Sequence, residues 1–229
     1  MTILYEDDSI IVIKKDAAEP VQTSKASSPD IVSMLKKHLS QSLKKKGEIY
    51  LGIVHRLDQP VEGLLVFAKT KEAAANLSKQ FATDIPHKHY LALVEGTVDV
   101  PINENHELTG YICKISKENR ACMVKDCKDR IPGGDAAKPC SLIFSPIEIR
   151  NETTLLSIIL QTGRFHQIRA QLSDMGHPIA GDRKYGSSIE YKQDFLNGNC
   201  VQKGAIALKV DSLSFYHPVS GKKMEMKMQ

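Results

Sequence analysis

Residues 55–63, HRLDQPVEG, contain a dense group of side chains that could do chemistry. Apolar stretches on either side, residues 49–54 and 63–69, predict two strands that would present this polar turn from a rigid frame. Asp58 is the acid at the centre of the segment, and a carboxylate in such a place can act as a nucleophile or as a base. Arg56 lies two residues before it and is a candidate contact for an anion.

A second polar segment, residues 162–169 (TGRFHQIR), stands where a predicted strand passes into a predicted helix. The unpaired amides at the start of a helix offer positive potential to an anion, and Arg169 adds a charge one turn later. We expect Arg169 to face outward, opposite an apolar stripe that includes Ile168 and Leu172. The two segments together predict a carboxylate and a cation at one site, with Tyr90 on a nearby strand.

The elements that must position these residues are mostly strands. Apolar runs predict strands at 9–14, 49–54, 63–69, 90–94, 141–149, 153–160 and 205–216. Cap residues and helical spacing predict helices that begin at Ser28-Pro29-Asp30, at 71 and at 165. Residues 97–137 have the least regular pattern, with short strands at best. Because the chain shows no βαβ rhythm, we predict an α+β fold with a mixed, mostly antiparallel central β-sheet flanked by helices.

Composition narrows the class of protein. The chain has 229 residues, of which 41% are hydrophobic and 25% are charged, as in ordinary globular proteins. No linker or repeat divides it, so we predict one domain over residues 1–229. The first residues are acidic where a signal peptide would be basic, and five cysteines form no even disulfide framework, which together favour the cytoplasm.

The charged residues favour a polyanionic partner, and the motifs favour no cofactor. The net charge is +4, and basic residues concentrate in three runs, at 36–46, at 69–89 and at 164–184. Such runs are often only solvated faces, but three of them together favour a nucleic acid. The glycine-rich signatures of nucleotide cofactors are absent, and the cysteines lack the paired spacing of a zinc site, so we predict no cofactor and no metal.

The chain resembles the RluA-type RNA pseudouridine synthases. Residues 53–65 (IVHRLDQPVEGLL) resemble the family's catalytic H-R-L-D segment, and residues 88–96 (KHYLALVEG) its K-x-Y-x-A-x-V-x-G strand. The segments 162–169, 176–186 and 207–218 resemble its remaining motifs, so that the likeness spans nearly the whole chain. The resemblance implies the pseudouridine synthase fold, with a catalytic cleft across the sheet and no amino-terminal S4 RNA-binding domain.

The resemblance also implies a reaction and roles for particular residues. In this reaction uracil is detached from ribose, rotated and rejoined through carbon, after the uridine has left its stack. The implied catalytic residues are Asp58, which acts at the ribose, Arg169, which keeps Asp58 ionised, and Tyr90, which stacks on the base and relays a proton. Whether Asp58 attacks the sugar or removes a proton from it stays open.

Further roles concern RNA binding. The implied RNA contacts are Arg56, Lys88, Arg164, His166 and Lys184, with the basic face at 36–46 as a weaker candidate. Leu208 would form an apolar wall of the uracil pocket, whereas His55 and Leu57 would be framework. The expected partner is a folded stem-loop of ribosomal or transfer RNA, bound by a monomer without an obligatory protein partner.

Two departures from the family pattern leave alternatives open. Val61 and Glu62 replace the usual Thr-Ser, and a negative charge four residues from Asp58 would raise its pKa if Glu62 pointed inward, although we expect it to point outward. The opening loop, residues 14–20, also differs from the family's Asn-Lys-Pro pattern. Glu62 is the feature that favours an RNA-binding or RNA-folding factor without activity. An N-glycosidase that stops after cleaving the bond is a more remote alternative.

Overall fold

An uninterrupted run of β-branched residues, Ile10 to Ile13, is completely buried and forms most of strand β2. Strand β4 repeats this pattern, with Leu64 to Ala68 buried, and pairs with β2 in an antiparallel register that sets Val12 opposite Val66. The computed structural model describes residues 1–23, 29–42, 47–83 and 87–228. In it the chain forms two compact units, residues 1–88 with 210–229 and residues 89–209.

The first unit is a sheet with two helices. Its strands follow the order β1-β2-β4-β10, with β3 paired to β4 and β11 to β10. The elements are β1 (Thr2–Glu6), β2 (Ile10–Lys15), α1 (Ile31–Ser42), β3 (Gly52–Ile53), β4 (Glu62–Ala68), α2 (Lys71–Ala82), β10 (Leu208–Tyr216) and β11 (Lys223–Lys227). The helices add Leu35, Leu39 and Leu77 to the core, each almost completely buried.

One glycine allows the central strands of this unit to pack closely. Gly63 has a φ of +147°, and a β-carbon there would lie 2.5 Å from the β-carbon of Val210 and 2.7 Å from its backbone nitrogen. No other residue fits such a contact, because backbone atoms cannot move aside as the end of a flexible side chain can. The glycine therefore fixes where β4 begins, directly after the polar segment that contains Asp58.

The second unit is an antiparallel sheet with one helix. Its strands follow the order β5-β9-β8-β6-β7. The elements are β5 (His87–Glu95), which begins in the first unit, β6 (His106–Ile115), β7 (Arg120–Val124), β8 (Lys138–Arg150), β9 (Thr153–Leu160) and α3 (Gln167–Asp174). Helix α3 packs on β6 and β7, and a core cluster of Ile112, Ala121, Cys140, Ala170 and Tyr185 lies between them.

The predicted α+β class and antiparallel sheet are confirmed, and all three predicted helices are present. The first begins at Ile31 and the third at Gln167, a little later than predicted, and the predicted cap Ser28 lies outside the described residues. The expectation for residues 97–137 is wrong, because β6 and β7 form a regular hairpin within that range. Half of the side chains in β6 are only partly buried, so its apolar alternation is weak in the sequence. The chain divides into two compact units, and the single domain over residues 1–229 stays a prediction.

One predicted basic run lies partly outside the described residues. The lysines at 44–46 of the first basic run lie outside the described residues, whereas Lys36 and Lys37 lie on α1. Among the helices that the structure describes, none combines the length and the apolar character needed to cross a membrane.

Candidate active site

Asp58 lies in a short turn between β3 and β4. Val61 donates its backbone N–H to the carbonyl of Asp58 at 3.0 Å and closes the turn, and the side chains of Val61 and Leu57 are buried beneath it. Asp58 itself is half-buried, whereas the side chain of Arg56 is exposed. This alternation presents the carboxylate and the guanidinium from a turn that two apolar residues anchor.

A completely buried lysine supports this turn from below. The ammonium of Lys15 donates to the carbonyls of Asp16 at 3.0 Å, of Glu19 at 2.9 Å and of Gln59 at 3.0 Å. Burial lowers the pKa of Lys15 to about 8, and the carboxylates around it, including Asp58 and Glu62, oppose that shift. The lysine therefore binds the residue after Asp58 and also sets a positive charge beneath the carboxylate.

The two departures from the family pattern contact each other. Lys14, which lies on β2 at the start of the divergent opening segment, forms an ion pair with Glu62 at 2.9 Å, across the antiparallel pairing of β2 with β4. The carboxyl side chain of Glu62 is only 16% exposed, so the expectation that it points outward to solvent is wrong. Its negative charge is compensated by a neighbouring cation, which reduces its effect on Asp58.

A histidine, a phenylalanine and a lysine stack behind the turn. The ring of His55 lies 4.2 Å from that of Phe81 and nearly parallel to it, and the ammonium of Lys88 lies 5.3 Å from the centre of the Phe81 ring. Val66 donates its backbone N–H to Nε2 of His55, so the neutral ring carries its proton on Nδ1. Burial and then the charge of Lys88 lower the pKa of His55, so the ring is uncharged.

Arg169 is held by a buried carboxylate. Its Nε and Nη2 donate to the two carboxylate oxygens of Asp182, at 2.6 and 2.9 Å, and only 5% of Arg169 is exposed. The expectation that Arg169 faces outward is therefore wrong, because this two-pronged pair holds the side chain inside the second unit. A planar guanidinium fixed in this way has a defined orientation, which a mobile surface cation lacks.

The histidine next to Arg169 is neutral. Tyr185 accepts a hydrogen bond from the backbone N–H of Ala121, and its hydroxyl group is hydrogen-bonded to Nδ1 of His166 at 2.9 Å. Burial, and then the charge of Arg169, lower the pKa of His166 to about 3. His166 therefore adds no positive charge to the predicted basic run, and it packs between Phe165 and Tyr185.

The remaining predicted residues occupy varied environments. Tyr90 and Leu208 are buried, at 6% and 3% exposed. Arg164 is half-buried and donates from Nε to the carbonyl of Pro139 at 3.0 Å. Lys184 is exposed and donates to the carbonyl of Asn119. Among the residues that the structure describes, no group of acidic, histidine or cysteine side chains is arranged to hold a metal ion.

Comparison with known proteins identifies the family. The family model described as RNA pseudouridylate synthase matches residues 9–174, which include both polar segments. Ribosomal large subunit pseudouridine synthase D of Zymomonas mobilis is 30% identical over 98% of this chain and 68% of its own length. The protein of the same name from Nitrosomonas europaea is 35% identical over 96% of this chain and 59% of its own length.

The chain belongs to the RNA pseudouridylate synthase family. Members of this family are isomerases, so the chain is an RNA-modifying enzyme, as the sequence motifs indicate. Human RNA pseudouridylate synthase domain containing 4 superposes with a TM-score of 0.73 at 21% identity, over 100% of this chain and 88% of that one. This likeness confirms the pseudouridine synthase fold.

Two residues of this synthase had no predicted role, although each contacts one of the two polar segments, Lys15 at Gln59 and Asp182 at Arg169. Lys15 ends a run of buried β-branched residues, where a charged residue is costly unless carbonyls surround it. Asp182 is the one acid in the segment GDRKYG, amid the third basic run. The sequence pattern that could have identified them is a charge at the end of an apolar strand for Lys15 and an acid within a basic run for Asp182.

Replacing Lys88 by Met should stabilise the synthase in a pH-dependent manner. Because burial lowers the folded-state pKa of Lys88 to about 8, its charged form opposes folding at neutral pH. The gain should be on the order of 2 kcal/mol below pH 8. It should disappear as the pH rises towards about 10.5, where the unfolded lysine also loses its proton. Urea denaturation at several pH values measures it.

The control for that experiment is Lys79→Met, the same substitution at an exposed position of α2. Equal pH dependence of the two variants would contradict the burial of a charge at Lys88.

Replacing Asp182 by Asn should destabilise the synthase by about 3–5 kcal/mol, because it leaves the guanidinium of Arg169 buried without its counter-charge. Arg183→Gln is the control, since Arg183 is exposed and its pair with Glu190 lies at the surface. Urea denaturation measures both variants. A loss no larger in Asp182→Asn than in Arg183→Gln would show that the pair does not hold Arg169.

Proposed function

We propose that this synthase isomerises uridine in the RNA of the large ribosomal subunit. The observation that carries the proposal is the similarity to synthases named for that subunit, at 30–35% identity over nearly the whole chain. We propose that the target lies in a folded stem-loop, read by shape and by phosphate contacts, since the basic residues are spread over several elements.

Asp58 is the proposed catalytic carboxylate and acts at the ribose of a uridine that has left its stack. The structure of the turn supports this role for Asp58. Lys15 binds the carbonyl of Gln59, the next residue, and carries a positive charge close to the carboxylate of Asp58. An ionised carboxylate can trap or stabilise the positive charge that develops at the sugar as the glycosidic bond breaks. Arg56, exposed beside it, is the proposed group that fills the space of the extruded base or holds a phosphate.

Arg169 and Tyr90 complete the proposed catalytic set. The pair with Asp182 orients the guanidinium of Arg169, and a fixed guanidinium would keep Asp58 ionised in a closed site. Tyr90 would stack on uracil and accept or relay the proton lost from carbon five, and Leu208 would form an apolar wall of the pocket. The burial of Tyr90 and Leu208 is consistent with a pocket that excludes water.

The alternative of an inactive RNA-binding factor loses its main support. That alternative depended on the negative charge of Glu62 near Asp58. The ion pair with Lys14 compensates the negative charge of Glu62. Both residues belong to segments that depart from the family pattern, so the charge introduced by one is balanced by the other.

Replacing Asp58 by Asn should abolish isomerisation, because the amide keeps the shape of the carboxylate but carries no negative charge. RNA binding should stay within about tenfold of the wild type, a difference of about 1.4 kcal/mol. The measurement is the release of tritium from carbon five of uridine in unmodified ribosomal RNA. Asp8→Asn is the control, because it makes the same change at an exposed position. Full activity in Asp58→Asn would exclude Asp58 as the catalytic residue.

Cells that lack this chain should lose pseudouridine at particular positions of the large-subunit RNA and regain it when the wild-type chain is restored. Mapping of pseudouridine across ribosomal and transfer RNA measures this directly. Restoration by Asp58→Asn would contradict the mechanism, whereas a loss confined to transfer RNA would contradict the proposed target.

A further inference from the structure

A basic cavity opens in the second unit, where β6, the start of β8 and the turn before α3 meet. Its volume is about 190 Å³, and its lining includes Lys114, Asp135, Lys138, Gly163, Arg164 and Phe165. One water molecule occupies about 30 Å³ of the liquid, so the cavity has room for roughly six groups of that size. This is enough for a phosphate group with its ester carbons.

The charges in the cavity favour an anion. Three cations, Lys114, Lys138 and Arg164, share the lining with a single carboxylate, that of Asp135. Arg164 is fixed by the hydrogen bond from its Nε to the carbonyl of Pro139, which uses one of its five N–H groups. The terminal nitrogens of a guanidinium held in this way match the geometry of phosphate oxygens.

Gly163 leaves the entrance open. It is exposed, and apart from its two neighbours in the chain no described residue has an atom within 4 Å of the position that its β-carbon would occupy. A bulky ligand such as a polynucleotide strand can therefore approach the backbone of this turn closely.

The aromatic ring in the cavity is already occupied by neighbouring groups. The ring of His166 stacks on Phe165 with its centre 3.9 Å away and nearly parallel. The ammonium of Lys114 lies 5.0 Å from the centre of the Phe165 ring. Because an imidazole covers one face and an ammonium lies close to the ring, the cavity favours a phosphate over a stacked base, and its recognition is independent of sequence.

We propose that this cavity binds a backbone phosphate of the substrate RNA, at a nucleotide other than the one that is isomerised. Asp58, Tyr90 and Leu208, the residues proposed for the target uridine, do not line it. The inference rests on the proposed function, since it takes RNA as the ligand. It adds an anchoring site that holds the strand through charge, while the residues around Asp58 act on the extruded uridine.

The first experiment measures the salt dependence of RNA binding. A fluorescently labelled RNA hairpin is titrated with the full chain at several salt concentrations, and log Kd is plotted against log salt. Lys138→Gln and, separately, Lys114→Gln should each lower the slope by about one, which is the value for one lost phosphate contact. Lys203→Gln, at an exposed position of the same unit, is the control and should keep the wild-type slope. Slopes in both cavity variants equal to that of the control would overturn the proposal.

The second experiment locates the phosphate. Ethylation of single phosphates removes their charge, and at the anchored nucleotide it should weaken binding by the wild type more than binding by Lys138→Gln, which has already lost one of the three cations. If that nucleotide is the isomerised one, or if ethylation affects both proteins equally at every position, the proposal is wrong.

These readouts separate this inference from the proposed function. Both measure binding, whereas isomerisation is measured by tritium release. If tritium release is absent in the wild type while the slopes change as expected, the proposed function fails and the phosphate site stands. If the wild type releases tritium and the slopes do not change, only the phosphate site fails.

Discussion

The Asp58 turn depends on one buried ammonium group. Lys15 is completely enclosed, and a charge can remain in such a place only when strong acceptors surround it. Three backbone carbonyls supply those acceptors, two from the opening loop and one from Gln59. Because carbonyls belong to the backbone, the requirement fixes the path of the chain on both sides and tolerates changes of side chain in either loop.

This dependence explains how the two departures from the family pattern coexist with an intact turn. The opening loop can exchange its side chains as long as its carbonyls still reach Lys15. The new charges that arise, at Lys14 and Glu62, then compensate each other across β2 and β4. The family assignment and the Lys14–Glu62 ion pair are both consistent with a chain that keeps the family's H-R-L-D segment.

Each unit contains a phenylalanine that contacts both a histidine and a lysine. In the first unit His55 and Lys88 contact Phe81, and in the second His166 and Lys114 contact Phe165. Burial lowers the pKa of both histidines, so both rings are neutral and serve as flat packing surfaces. The lysine ammonium gains from the negative potential of the aromatic ring. The positive charge in these two clusters therefore comes from lysine and not from histidine.

The sequence by itself determined the fold class and, through its resemblance to a family, the class of enzyme, because apolar periodicity and the motifs HRLD and TGRFHQIR are local properties of the chain. It could not show that Arg169 is buried against Asp182, that Glu62 pairs with Lys14, or that Lys15 binds the carbonyl of Gln59. Each of these contacts joins residues distant in the chain or on different strands, and only strand register and packing bring them together. The same reason applies to the cavity beside Arg164, whose cations come from β6, β8 and the turn before α3. Local sequence fixes which groups are present, whereas tertiary structure decides which charges meet and which are left facing a ligand.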